Sequence, residues 1–292
     1  MFKKSLVLVV LFGATFSTQF AHAQFHDNSF SYRYGSAFRE PATNNGNDIS
    51  KNILSFTHVD GGNKLGNNFL NVDLLRSNHG DPANNAPKTG ATEVYVVYRH
   101  DVSLNKITNS KKFSFGPIKD VLITGGIDLN TKNTTFAPEK RMPVFGPTVA
   151  IKIPKGFWDI SLLWDKEWNN NGLPTEFGVK NHSVTFNSAV MVSSAWGVPF
   201  KIGKAPLSFE GFALLNSSKG QDGFGRGTKP ETLLHPKLMY NVGSLIGEKH
   251  NYSIGVGYEY WRNKFGDDHK LPGFAGKGDF AHTPFVELAI HL

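Results

Sequence analysis

From about residue 25 onward the chain alternates with period two. The stretch YSIGVGYEYW, Tyr252–Trp261, sets Tyr252, Ile254, Val256, Tyr258 and Tyr260 against Ser253, Gly255, Gly257, Glu259 and Trp261. Residues two apart share one face of a strand, so one face here is greasy and the other small or charged. About twelve such runs recur, bounded by Gly, Asn, Asp and Pro clusters. They centre on 28–36, 50–59, 67–76, 92–101, 120–130, 143–153, 157–167, 183–193, 206–216, 232–241, 251–261 and 283–292. Amphipathic helical periodicity is nearly missing over the same span, so the fold class is all-β.

Two all-β architectures show this alternation. A sandwich turns its greasy faces toward a shared core; a membrane barrel turns them toward lipid and lines a lumen with the polar faces. The connections favour the barrel. Odd-numbered ones are long and rich in Asn, Gly, Asp and Lys, as in RSNHGDPANNAPKTGA and WNNNGLPTEFGVKNHS, whereas even-numbered ones include PKG at 154–156 and DGGNKLGN at 60–67. Two even connections, 102–119 and the SSAWGVPFKIGKAP segment at 193–206, are long for this rule and are expected to carry a short helix or a bulge. Cysteine is absent, so no disulfide framework supports a secreted sandwich. The last run continues to Leu292, although many barrels of this kind close on an aromatic residue. The expected fold is a closed antiparallel transmembrane β-barrel of about twelve strands, with long extracellular loops and mostly short periplasmic turns. Tyr258 and Tyr260 then meet lipid, and Glu259 faces the lumen.

The opening MFKKSLVLVVLFGATFSTQFAHAQF joins Lys3 and Lys4 to an apolar run, Leu6 to Phe16, and the small-residue pattern Ala21-His22-Ala23. It reads as a secretory signal peptide over 1–23, cleaved before Gln24, with the barrel over 24–292. No other segment has the eighteen or so apolar residues of a membrane-crossing helix. Without Lys3 and Lys4 the formal charge falls from +7 to +5, spread along the chain with no Lys/Arg block. A nucleic-acid polymer is therefore not an expected partner.

A lumen that passes a polar organic solute needs aromatic faces, ionised groups and weak sites in series. The inward phase offers Phe285, Lys237, Asp128 and Asp159, and the candidates for solute contact are Arg33, Asp73, Tyr95, Arg99, Glu210, Phe212, Glu259 and Trp261. The plainer role for these charges is mutual pairing, because a narrow lumen penalises a lone desolvated charge. SNHGD at 77–81 places Ser77, His79 and Asp81 together, but in one loop, with no scaffold to fix nucleophile and base. There is no HExxH pattern, so no zinc site is expected, and no cofactor is implied. FGDDHKLPG reads as a solvated loop, and GFGRG and GGNKLG read as turns.

FSFGPIKDVLITGGIDLN, Phe113–Asn130, resembles the nucleoside-specific outer-membrane channels, the Tsx-like family. SYRYGSAFREP near the mature N-terminus, PLSFEGFALL at 206–215 and YEYWRNKFG at 258–266 are similar, so the likeness runs over most of 25–292. It implies a monomeric twelve-stranded barrel with a narrow pore of aromatic and ionisable side chains, passing nucleosides by facilitated diffusion without energy coupling. Phe212 beside Glu210 would suit a base and a ribose hydroxyl together. Some relatives are known as phage receptors, so a surface receptor whose long loops bind phage or another ligand is a second expectation. An outer-membrane hydrolase is the third.

Overall fold

The computed structural model describes residues 25–41, 43–61, 66–179, 181–243, 251–272 and 274–292; the expected signal peptide lies outside them. Twelve long strands build one sheet: β1 (Phe25–Phe38), β2 (Ile49–Gly61), β3 (Gly66–Ser77), β4 (Thr92–Ser103), β5 (Ile118–Lys132), β6 (Arg141–Ile151), β7 (Phe157–Asp165), β8 (Ala189–Ile202), β9 (Ala205–Asn216), β10 (Glu231–Asn241), β11 (Asn251–Arg262) and β12 (Phe280–His291). Every strand pairs antiparallel with its neighbours in sequence. β1 pairs with β12 from Ser29↔His291 to Gly35↔Phe285, which closes the sheet into a barrel. A closed barrel leaves no edge, so every strand can satisfy its backbone groups without water.

The period-two reading sets the faces. On β1, Phe30, Tyr32 and Tyr34 point out and are exposed, whereas Arg33 points in; on β11, Val256 and Tyr258 point out and Glu259 is buried inside. The outer wall continues through Leu54, Phe145, Leu162, Val192, Leu215 and Leu288, all exposed. A continuous apolar outer wall on a closed barrel is a lipid-facing surface. Part of the inner wall is also apolar: Met142, Val144, Leu163 and Met191 pack with Leu214 on β6–β9, and Phe38, Ile49 and Ile53 pack with Leu75 on β1–β3. These side chains fill space, so the lumen is narrower than the backbone cylinder.

Six long connections stand on one rim and shorter turns on the other, as the sequence led us to expect. The connection after β4 is the long exception and does carry a short helix, α1 (Leu104–Ile107), capped by the Ser103 hydroxyl accepting from the Lys106 amide. The expectation for 193–206 is corrected: this segment is strand, interrupted only by the two-residue turn Gly203-Lys204 with φ +59° at Gly203. The run expected at 183–193 is displaced accordingly, to Ala189–Ile202, and Ser183–Thr185 instead forms a small ribbon with Trp168–Asn170. β8 pairs with β7 only as far as Gly197 while pairing with β9 through Ile202. Pro199 therefore lies where one side of the strand is open, a place strands accommodate proline.

The long loops bond to one another around their rim. Backbone N–H donors run from Asn84 to Asn133 O (2.8 Å), Gly172 to Phe136 O (2.7 Å), Asn187 to Lys219 O (2.8 Å) and Lys229 to Gly266 O (2.7 Å). Lys277, in helix α2 (Phe274–Gly278), donates to Asn47 Oδ1 at 2.7 Å and joins the last loop to the first. Asn78 N–H to Ser50 O (2.9 Å) ties the second loop to the base of the first.

Candidate lumenal binding site

All eight residues singled out from the sequence face the lumen, because each shares the inward phase of its strand with cross-strand partners that also point in. They fall into separate groups at different heights.

The middle group is organised by β11. Its inward residues Gly255 and Gly257 have no side chain to offer, and this leaves a notch between β10 and β12. A Cβ on Gly257 would lie 2.2 Å from the Phe285 ring, so Phe285 occupies the space that a larger residue would need. Across this notch Phe285 stacks on His235 (centroids 4.7 Å apart, 24° between planes), and His235 stacks on Phe212 (5.0 Å, 11°). The Arg33 guanidinium lies 5.1 Å from the Phe285 centroid and ends the stack. Phe212 is the open end, 40% exposed to the lumen. The residue facing it on β8 is the small Ala195, which leaves the free ring face uncovered by a bulky neighbour.

Charges run alongside the rings. Arg33 Nε donates to Glu287 Oε2 (2.9 Å) and Lys237 Nζ to Glu287 Oε1 (2.6 Å), while Lys237 also lies 3.5 Å from Glu210 Oε2. The Lys237–Glu287 pair spans the same glycine notch. The Ser208 hydroxyl donates to Glu210. Glu287 is buried and bonded on both oxygens, whereas Glu210 and Lys237 are partly open. Toward the turn rim the lumen widens into a cavity of about 480 Å³ whose lining includes Ser208, Glu210, Lys201, Lys155, Asn241 and His291.

Tyr95 and Arg99 belong to a second group. Arg99 Nη1 donates to Asp128 Oδ1 (2.6 Å), the Tyr95 hydroxyl approaches Asp128 Oδ2 (3.5 Å), and Lys140 Nζ donates to the Tyr95 oxygen (3.2 Å). Asp73 accepts from Asn71 Nδ2 (2.8 Å) on the neighbouring wall. Glu259 is buried at 9% exposure, one inward position beyond Gly257. Trp261 is part of neither group: its Nε1 donates to Glu231 Oε1 (2.6 Å) and the Lys264 ammonium sits 4.2 Å over its ring.

Lys264 belongs to a cluster at the loop rim that the sequence did not reveal. The Glu40 carboxylate, in the first loop, is met by Lys51 on β2 (2.5 Å), Lys264 in the last loop (3.2 Å) and Lys132 on β5 (3.5 Å). Lys132 also pairs with the buried Asp81 (2.8 Å). Three ammonium groups hold Glu40 well below the usual carboxylate range despite its burial. The first loop is therefore pinned into the mouth of the barrel. The Ser77 hydroxyl donates to Asp81 (2.8 Å), so the serine and acid of SNHGD are engaged in this cluster while His79 remains exposed.

The middle group contains five of the inward-phase residues read from sequence, namely Arg33, Glu210, Phe212, Lys237 and Phe285. His235 and Glu287 were missed as members, although LLHPKLMY and TPFVELAIHL place both on the inward phase. Nothing in the sequence signals Glu40 or Lys264, because loop residues have no period.

No protein-family model matches the sequence, and no curated protein matches it. Among solved structures, the chain is similar to a NanC porin (10% identity over 89% of this chain and 98% of that one, TM-score 0.48). It is also similar to a KdgM porin in complex with disordered oligogalacturonate (10%, 90% and 97%, 0.38). A third is the translocator domain of the autotransporter NalP from Neisseria meningitidis (12%, 92% and 88%, 0.44). At these identities and scores no solute or partner passes from them to this chain. The Tsx-like resemblance rests on the sequence patterns alone.

Proposed function

We propose that the chain is an outer-membrane channel through which small polar solutes diffuse down their gradient, and that nucleosides are the class its lumen suits best. In this reading the protein is exported by its signal peptide, acts as a monomer with its long loops outside the cell, needs no cofactor and catalyses no reaction. The observation that carries it is the lumenal stack Phe212–His235–Phe285–Arg33 beside Glu210, Lys237 and Glu287. A flat base adds to the open face of Phe212, and the neighbouring carboxylate and ammonium meet the sugar hydroxyls. Base stacking on an aromatic side chain is worth about 1–3 kcal/mol, strong enough to select and weak enough to release.

Planar-bilayer conductance of the refolded mature protein tests this, with adenosine and thymidine titrated against a sugar and an amino acid of similar size. Saturable block by nucleosides alone is the expected outcome. Phe212→Ala is expected to keep the open conductance and weaken the block about tenfold, the loss of about 1.4 kcal/mol of stacking. Equal block by every solute, or an unchanged block in the variant, sinks the assignment to nucleosides.

A second reading draws on the bonded loops, whose continuous outer surface suits a phage or another external ligand. Binding that is lost on shortening the 263–279 loop, at unchanged conductance, would favour it.

A further inference from the structure

The turn rim carries one sign of charge along half its circumference. The turns joining β4 to β5, β6 to β7 and β8 to β9 are consecutive, and the first two are tied together by Lys152 Nζ donating to Gly116 O (2.9 Å). Lys111, Lys112, Lys155, Lys201 and Lys204 are exposed there, and none forms an ion pair among the described residues. The nearby acids point inward and are otherwise engaged: Asp120 accepts from the Ser103 hydroxyl (2.5 Å) and Asp101 from Thr124 (2.6 Å). Between the lysines, Ile107, Phe115, Phe200 and Ile202 are exposed, with Ile202 at 67%.

The outer wall directly above this arc is grooved. Gly125 projects no side chain toward lipid, and the space beside it forms an outward cavity of about 420 Å³ lined by Tyr98, His100, Val102, Ile123, Ile127 and Phe145. Val102 and Ile123 pair near the turn-rim ends of β4 and β5, next to the turn that carries Lys111 and Lys112. Trp158 and Trp196 stand on the outer face near the turn-rim ends of β7 and β8, the depth at which aromatic rings mark a membrane interface.

We propose that this arc and groove form a binding site for an anionic phospholipid of the leaflet that meets the turn rim. One acyl chain lies along the groove beside Gly125, and the headgroup phosphate is held by Lys111 and Lys112. Lys204, at the tip of the β8–β9 turn, extends the attraction to neighbouring anionic headgroups. The site rests on the membrane orientation of the proposed channel, but not on its solute.

The test is native mass spectrometry of the folded, detergent-extracted barrel after incorporation into nanodiscs of mixed phosphatidylethanolamine and phosphatidylglycerol. The wild type is expected to retain phosphatidylglycerol in at least fivefold preference. The double variant Lys111→Gln, Lys112→Gln is expected to lose that preference, and Gly125→Leu, which fills the groove, to lose retention of both lipids. Lys88→Gln with Lys270→Gln, on the opposite rim, is expected to change neither. Equal retention of the two lipids by the wild type, or preference unchanged in the double variant, overturns the proposal. So does salt-sensitive adhesion of a soluble polyanion to the arc with no lipid preference, which assigns the surface to a polymer. Conductance in phosphatidylcholine bilayers confirms that each variant is folded, and it reports separately on the channel reading.

Discussion

Glu40 leaves strand β1 only two residues behind it and receives ammonium groups from β2, β5 and the last loop. Glu40→Gln removes the charge those groups share, and breaking one partner of a buried ion pair costs about 3–5 kcal/mol. The refolded variant is expected to unfold at lower urea concentration, and its single-channel conductance to rise as the first loop leaves the mouth. The folded pKa of Glu40 lies below its ordinary 4.5, so its contribution is complete above that pH and is lost as the pH falls through the lower folded value. Asp279 has the opposite sign. Burial, reinforced by neighbouring Asp267, pushes it up to about 8, so the folded loop binds an extra proton and loses stability as the pH rises from about 4 to about 8. Asp279→Asn is therefore expected to gain melting temperature relative to wild type as the pH rises across that range; a constant difference between pH 5 and pH 8 would contradict it. At this scale the sequence is legible where a strand supplies a period. Arg33, Phe212 and Glu210 could be placed inward by counting in twos, whereas Glu40 and Asp279 acquire their character from loop packing, which has no repeat to read.

Strand β11 shows why an element can matter through what it omits. Gly255 and Gly257 are the inward residues that let Phe285 reach His235 and Lys237 reach Glu287. Gly257→Ala places a methyl group where the Phe285 ring lies, and overpacking of this kind costs about 1–3 kcal/mol. The variant barrel is expected to form and conduct but to show weakened nucleoside block; a block equal to wild type would remove the stack from the binding reading. The alternation in YSIGVGYEYW reveals which residues point inward, but not that its glycines face aromatic rings from strands on either side. Such pairing depends on register, which one sequence does not print. β8 marks another limit. Gly197, Pro199 and Gly203 look locally like a loop, and only the open edge beyond Gly197 and the pairing with β9 make the segment a strand.

For the whole molecule, closure does more than remove edges. The fold class, the strand number and the asymmetry of the rims were all legible, because alternation and turn composition repeat along the chain and errors at single boundaries do not accumulate. The bonded collar of loops was not, since its contacts join segments far apart in sequence. Because one chain completes the barrel, each insertion into a planar bilayer is expected to give a single current step; steps in fixed groups of three would indicate an oligomer.

The stack Phe212–His235–Phe285–Arg33 crosses the seam where β12 meets β1. Its last two members come from opposite ends of the chain, so the stack is absent from any half-built barrel and comes into being only when the final strand docks on the first. A solute that reads the complete stack is then also a clock: the moment at which a newly inserted molecule acquires affinity for it dates the end of its assembly.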